Sequence, residues 1–212
     1  MEQNVIIGIC AALAYLLGSI PSAVWYGKAF YKIDVREHGS KNAGATNTLR
    51  VLGNKAGFIV LFFDLLKGFV ATELAYIAVG DSTDVLLLFK LKMLFGVIAV
   101  LGHVYPVFAQ FRGGKGIATL LGLAIALDYR IAGICVLLFV TIVWLTRFIS
   151  VGSMLSGIAA ALLSFYFYQN NWFANTFFCA IAVMVIYTHR ANIKRLMSGT
   201  ENKLSFKKKS SS

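Results

Sequence analysis

The stretch VLLLFKLKMLFGVIAVLGHVYPVFA at residues 85–109 decides the fold. It is apolar almost throughout, with Lys90 and Lys92 confined to its start. Crossing a bilayer as a helix takes about 17–25 such residues. The chain around it has the same character. Its 212 residues are 58% hydrophobic and only 14% charged, with mean hydropathy +0.75, whereas a soluble domain is about a quarter charged. Nine acids are few for a soluble fold of this size.

Six further apolar runs lie at 5–25, 56–79, 117–127, 131–146, 151–168 and 172–188. The run at 117–127 is short, either a half-length helix or one extended through the glycines before it. The expectation is an all-α integral membrane protein with seven transmembrane helices. They would form a single domain at 1–199, followed by a basic tail at 200–212 expected to be disordered. Pro21, in GSIPS at 18–22, should break or kink the first span. No charged n-region or A-x-A site precedes the first motif, so no cleaved signal peptide is expected. Cys10, Cys135 and Cys179 are far apart in apolar runs and read as small buried hydrophobes.

Charge sets the sidedness. Lys28, Lys32, Arg36, Lys41, Arg50 and Lys55 lie between the first two spans. Arg112 and Lys115 lie between the third and fourth, and Arg147 between the fifth and sixth. Arg190, Lys194, Arg195, Lys203, Lys207, Lys208 and Lys209 follow the last. These sixteen basic residues fall on one side, and the alternate loops hold one to three. The positive-inside rule places the N-terminus outside and the C-terminus in the cytoplasm. The net charge of +11 does not point to nucleic acid, because the basic residues sit between apolar runs rather than along a solvated face. Membrane lipids and phosphorylated substrates are the better partners.

Every glycine-rich polar stretch falls on that cytoplasmic side, where the stretches can converge into one site at the inner interface. In GSKNAGATNTLR at 39–50, Gly39, Ser40, Asn42, Gly44, Thr46 and Asn47 are small and polar, and Arg50 closes the run. Glycine lets backbone N–H groups turn toward a ligand. Successive amides form a concavity suited to an anion, and Arg50 can add a bidentate donor. In FRGGKG at 111–116, Arg112, Gly113, Gly114, Lys115 and Gly116 follow the same logic, since nothing bulky shields Lys115 from a phosphate. It is not a Walker A motif: Gly116 stands where Ser or Thr should follow the lysine. In THRANIKRL at 188–196, His189 and Asn192 share one side if the helix continues. RFISVGS at 147–153 brings Ser150 and Ser153 near Arg147. Asp64 and Lys67, at i and i+3, are either functional intramembrane charges or a neutralising pair. His103 reads better as a hydrogen-bonded residue of the bundle than as a catalytic one.

Taken together, LLGSIPSA, GSKNAGATNTLR, DLLKG, GHVYPVF, RGGKGIAT, ISVGS and HRANIKRL occur in this order from about residue 15 to 199. The ordered set resembles the bacterial membrane acyl-phosphate:glycerol-3-phosphate acyltransferases. The resemblance implies a seven-span, multi-pass enzyme of the bacterial cytoplasmic (inner) membrane with its site on the cytoplasmic side. It would move a fatty acyl group from acyl phosphate to the 1-hydroxyl of glycerol 3-phosphate. The products would be 1-acyl-glycerol 3-phosphate (lysophosphatidic acid) and phosphate, the first acylation of bacterial phospholipid synthesis. Ser40 and Arg50 would belong to the first family motif, Lys115 and its glycines to the second, and His189 and Asn192 to the third. His189, Asn192 and Ser40 are the expected catalytic residues. Gly39, Asn42, Gly44, Thr46, Asn47, Arg50, Arg112, Gly113, Gly114, Lys115, Gly116 and Ser150 are the expected phosphate-binding ones. No metal or cofactor is expected, and the chain is expected to be a monomer.

The H-x4-D pair of the other large acyltransferase group is absent, since Ala43, Phe108 and Lys194 stand five residues after the three histidines. A transporter would call for broken polar segments from both sides in repeated halves. A phosphatidyl-alcohol synthase would call for clustered aspartates. Neither pattern occurs. Which loop takes which phosphate, and whether His189 or a substrate phosphate is the base, both stay open.

Overall fold

The computed structural model describes residues 2–204; Met1 and residues 205–212 lie outside it, and most of the expected tail with them. In lipid every backbone polar group must be satisfied within its own segment, which favours helices. Among the described residues there is no strand. Two compact units divide the chain, 1–130 and 131–212.

The first unit opens with α1 (Gln3–Gly18), which breaks at Ser19–Pro21 and resumes as α2 (Ser22–Tyr26) and a π-helical turn (Gly27–Tyr31). The two pieces meet at 42°, as Pro21 foretold. After a polar loop come α3 (Ala45–Leu52), α4 (Asn54–Val79), α5 (Val85–Val104) and α6 (Ile117–Leu127). The second unit holds almost all of α7 (Tyr129–Thr146), then α8 (Ile149–Phe167), α9 (Trp172–Thr188) and α10 (Arg190–Met197).

Three segments, Val85–Ala109, Tyr129–Thr146 and Ile149–Phe167, are long and apolar enough to cross a membrane. The count is five if α1 with its continuation and α9 with α10 are each one bent span. The expectation of seven adds α4 and α6, which fall short of that measure: α4 carries Asp64, Lys67 and Glu73, and α6 has only 11 residues.

The charges of α4 are paired. Lys67 Nζ lies 2.9 Å from Asp64 Oδ1, and it donates at 2.7 Å to the carbonyl of Ile20, at the proline break. Glu73 takes Lys92 of α5 at 2.9 Å. Lys92 also donates to the carbonyl of Ala126 at 3.1 Å. A cation there satisfies the last turn of a helix too short for the bilayer and suits the negative end of its dipole. Lys92, which in sequence is only a charge near the start of a span, thus caps α6.

Small residues let these helices approach closely. A Cβ on Gly122 would collide with the carbonyl oxygen of Leu65, and one on Gly68 with that of Thr119. Lipid tails are as apolar as leucine, so close van der Waals packing of this kind drives association inside a membrane. The core of the first unit is accordingly built from Ala14, Ala71, Ala75 and Ala99 around Phe95, all fully buried.

Candidate functional site

The first polar loop is organised before it reaches its glycines. Asp34 caps the short turn Val35–Glu37 by accepting from the Arg36 amide at 3.0 Å. Its carboxylate also takes the Arg36 guanidinium through two bonds, at 3.0 and 2.7 Å, and Lys28 at 3.2 Å. The Arg36 hydrogen bond, joined by the backbone amide and Lys28, outweighs partial burial and holds the Asp34 carboxyl far below the usual carboxylate range. Arg36 then donates at 2.9 Å to the carbonyl of Ala109, just ahead of the second basic loop.

Asn47, 1% exposed, holds the loop together from inside. Its Oδ1 accepts from the amide of Ser40 at 2.8 Å and from the Ser40 hydroxyl at 3.1 Å. Its Nδ2 donates to the carbonyls of Val35 at 2.7 Å and His38 at 3.1 Å. Gly39 sits at φ +60°, and a Cβ there would strike Asn47 Oδ1. All four hydrogen-bonding positions of the Asn47 amide are therefore spent on building the loop. Asn42 and Thr46 are half-buried, and Gly44 precedes α3 as its N-cap. The first turn of α3 directs backbone N–H groups outward, the usual seat for an anion. Arg50 lies half-buried in the last turn of the same helix.

The second loop is pressed onto the end of α5. Gly114 N–H donates to the carbonyl of His103 at 3.2 Å. A Cβ on Gly113 would collide with the same carbonyl oxygen, and one on Gly114 with His103 Nε2. That Gly114 position also lies 3.2 Å from the carbonyl of Ala43. The glycines thus have a packing reason that their reading as a phosphate approach did not include. They let this backbone meet α5 on one side and the first loop on the other. Lys115 is half-buried between buried Gly114 and Gly116, and Arg112 is exposed. The two polar loops are therefore neighbours within the first unit.

In the second unit the chain does not continue straight through THRANIKRL. It bends by 57° at His189. The expectation of a shared face on one continuous helix is thereby corrected. His189 caps α9, leaving room for a new helix to start, and the Asn192 backbone N–H donates to the His189 carbonyl at 2.8 Å. Both residues are buried, at 2% and 5% exposure. The Nδ1 of His189 lies 2.8 Å from the carbonyl of Val185.

Sequence reasoning left Glu201 in the tail. Its carboxylate accepts from the Asn192 amide at 2.7 Å, the Ser150 hydroxyl at 2.9 Å and Arg195 Nε at 2.7 Å. Leu204 N–H bonds the carbonyl of Arg147 at 2.7 Å. So the first residues of the expected tail, up to Leu204, are fastened to the second unit rather than loose. The available signal was one acid in a segment otherwise basic, six residues after Arg195. Burial alone would raise the Glu201 carboxyl; the bonds from Asn192, Arg195 and Ser150 outweigh it and lower it.

Glu201→Gln should therefore destabilise the protein by about 1–3 kcal/mol, because an amide cannot accept from Arg195 while keeping its other two bonds as strong. Thermal unfolding in detergent measures it. With the folded pKa lowered, the wild-type contribution is complete above the ordinary carboxylate value of about 4.3 and fades as pH falls below it. The stability gap between wild type and variant should be flat from pH 6 to 9 and close only in acid.

Among the described residues no three of His, Cys, Asp and Glu gather into a metal-holding group. Apolar helices with two adjoining basic, amide-rich loops define a helical integral membrane protein equipped for phosphate chemistry. The family model for glycerol-3-phosphate acyltransferase matches residues 8–199, and the chain belongs to that family. It is 49% identical over 197 residues to the glycerol-3-phosphate acyltransferase of Bacillus cytotoxicus, covering 93% of this chain and 94% of that one. It is 41% identical to the enzyme of that name from Enterococcus faecalis, covering 93% and 92%. Among solved structures it resembles PlsY (YgiH), an integral membrane glycerol 3-phosphate acyltransferase, at 36% identity. The glycerol 3-phosphate form of PlsY gives a TM-score of 0.81 over 94% of this chain and 96% of that one. The lysophosphatidic acid form gives 0.80 over 94% and 95%.

Proposed function

We propose that this chain transfers a fatty acyl group from acyl phosphate to the 1-hydroxyl of sn-glycerol 3-phosphate. The products are 1-acyl-sn-glycerol 3-phosphate and inorganic phosphate, in the first acylation of bacterial phospholipid synthesis. The observation that carries this reading is likeness, over nearly the whole chain, to an acyltransferase whose solved forms are named for glycerol 3-phosphate and lysophosphatidic acid.

In the reaction the substrate hydroxyl oxygen forms a bond to the acyl carbonyl carbon, and the bond from that carbon to the phosphate oxygen breaks. The hydroxyl proton passes to His189 or to a substrate phosphate, and phosphate leaves with the bonding pair. Acyl phosphate is an activated anhydride, so alignment and stabilisation of the developing oxyanion make up most of the work. Two phosphates call for two anion sites. The first-turn backbone amides of α3 and the Thr46 hydroxyl suit one, the Ser40 amide and hydroxyl being given to Asn47, and Lys115 with Arg50 suits the other. Asn47 shapes the first, and Glu201 holds Asn192 and Ser150 in place. Thioester donors are disfavoured by the missing H-x4-D pair.

The domain is residues 1–199 with seven spans, N-terminus outside, in the bacterial cytoplasmic membrane as a monomer. The 26 residues of α4 reach about 39 Å at 1.5 Å each, enough to span. Its charges are paired within the protein rather than lone ions, which removes the main objection to counting it. With Lys92 at its end, α6 serves as the half-length fourth span and brings the count to seven.

The test is a metal-free product assay on the purified protein in a lipidic phase, with palmitoyl phosphate, palmitoyl-CoA or palmitoyl carrier protein offered separately. Lysophosphatidic acid and phosphate should appear with palmitoyl phosphate alone. Turnover with the thioesters only would discard the donor, and no acylation at all would discard the reading.

A further inference from the structure

A buried cluster of Asp64, Lys67 and His103 lies outside the residues given roles above. Their side chains are 2%, 5% and 5% exposed. Burying charges is costly unless they are paired and hydrogen-bonded. A brace between α4 and the broken first span needs only Asp64, Lys67 and the carbonyl of Ile20. His103 adds something that such a brace does not require. Its Nδ1 stands 3.6 Å from Asp64 Oδ1. On its other side, Nε2 abuts Gly114, whose N–H is bonded to the His103 carbonyl. The same carbonyl blocks any side chain at Gly113. The imidazole is thus wedged between a buried ion pair and the backbone of the second loop, one residue before Lys115.

We propose that Asp64, Lys67 and His103 are positioning residues: through the wedged imidazole they fix the Gly113–Lys115 backbone and so place the Lys115 ammonium on a substrate phosphate. This rests on the reading of that loop as a phosphate site. Packing rigid enough to hold a ring against a backbone transmits small shifts, and a displacement of about 1 Å at a binding group can cost roughly 100-fold.

Steady-state kinetics on His103→Phe test the idea, with both substrates varied in turn. The KM of whichever substrate Lys115→Ala weakens should rise about tenfold or more, with kcat and the other KM within about threefold. His103→Gln, which keeps a nitrogen on the loop side, should recover most of the loss. In the double variant with Lys115→Ala, His103→Phe should add nothing further, because the loop then has no ammonium to place. A lowered Tm with unchanged KM overturns the positioning role, and so does full additivity in the double variant. Should His103→Phe not accumulate as folded protein, Asp64→Asn keeps the side-chain shape and carries the same readouts. If Lys115→Ala itself alters neither KM, the loop is not the phosphate site and the proposal falls with that reading, a failure distinct from the first two.

Discussion

His189→Ala should lower kcat by about 10²–10⁴-fold, the usual contribution of a positioned general base, while both KM values stay within a few fold. The ground lies in one hydrogen bond. His189 Nδ1 is 2.8 Å from the carbonyl of Val185, and a carbonyl can only accept. The proton of the neutral ring therefore sits on Nδ1, and Nε2 carries the lone pair that a base needs. The bend at His189 takes the ring out of regular helix, and at 2% exposure the imidazole is buried away from bulk water. Single-turnover rates measured beside KM separate proton transfer from binding. An unchanged rate would assign the proton to a substrate phosphate instead.

Lys115→Ala should raise the KM for one phosphorylated substrate by about 10–100-fold, the worth of a charge-assisted hydrogen bond of roughly 1.5–3 kcal/mol. Lys115→Arg should not rescue it fully, because a planar fork does not replace a compact ammonium between two buried glycines. Arg50→Ala should bring a loss of the same order. Arg50 lies in the last turn of α3 and Lys115 precedes α6, and because the two cations serve one phosphate the same substrate's KM should move in both variants; movement of different KM values would separate them. Membrane insertion should be normal in both, since neither side chain lies within an apolar span. Near-normal turnover in either variant would remove that residue from the site.

How much of this could be read in advance depended on the range of the interaction. Pro21 lacks an N–H and cannot continue a helix, so its 42° break was foreseeable from one residue. Asp64 and Lys67 are one turn apart, so their pairing followed from helical spacing. The polar loops stood out because small and basic residues interrupt apolar runs. The bend at His189 was not foreseeable, because THRANIKRL contains neither glycine nor proline and a straight helix was the natural continuation. The glycines of FRGGKG were explained only in part. Their ligand-facing reading came from chemistry, whereas their contact with His103 and Ala43 depends on where α5 ends.

Hydropathy and charge order along the chain determined that this is a helical membrane protein, with apolar segments interrupted by small, polar and basic loops. Those properties are sums over neighbouring residues, and the bilayer acts on each segment separately. Only the tertiary structure decided that Glu201 gathers Ser150 from fifty-one residues away, that Lys92 caps α6 and that His103 stands between an ion pair and the Lys115 loop. Such contacts join residues with no fixed spacing. They arise when small side chains let helices approach closely and leave buried polar groups that must find partners across the fold.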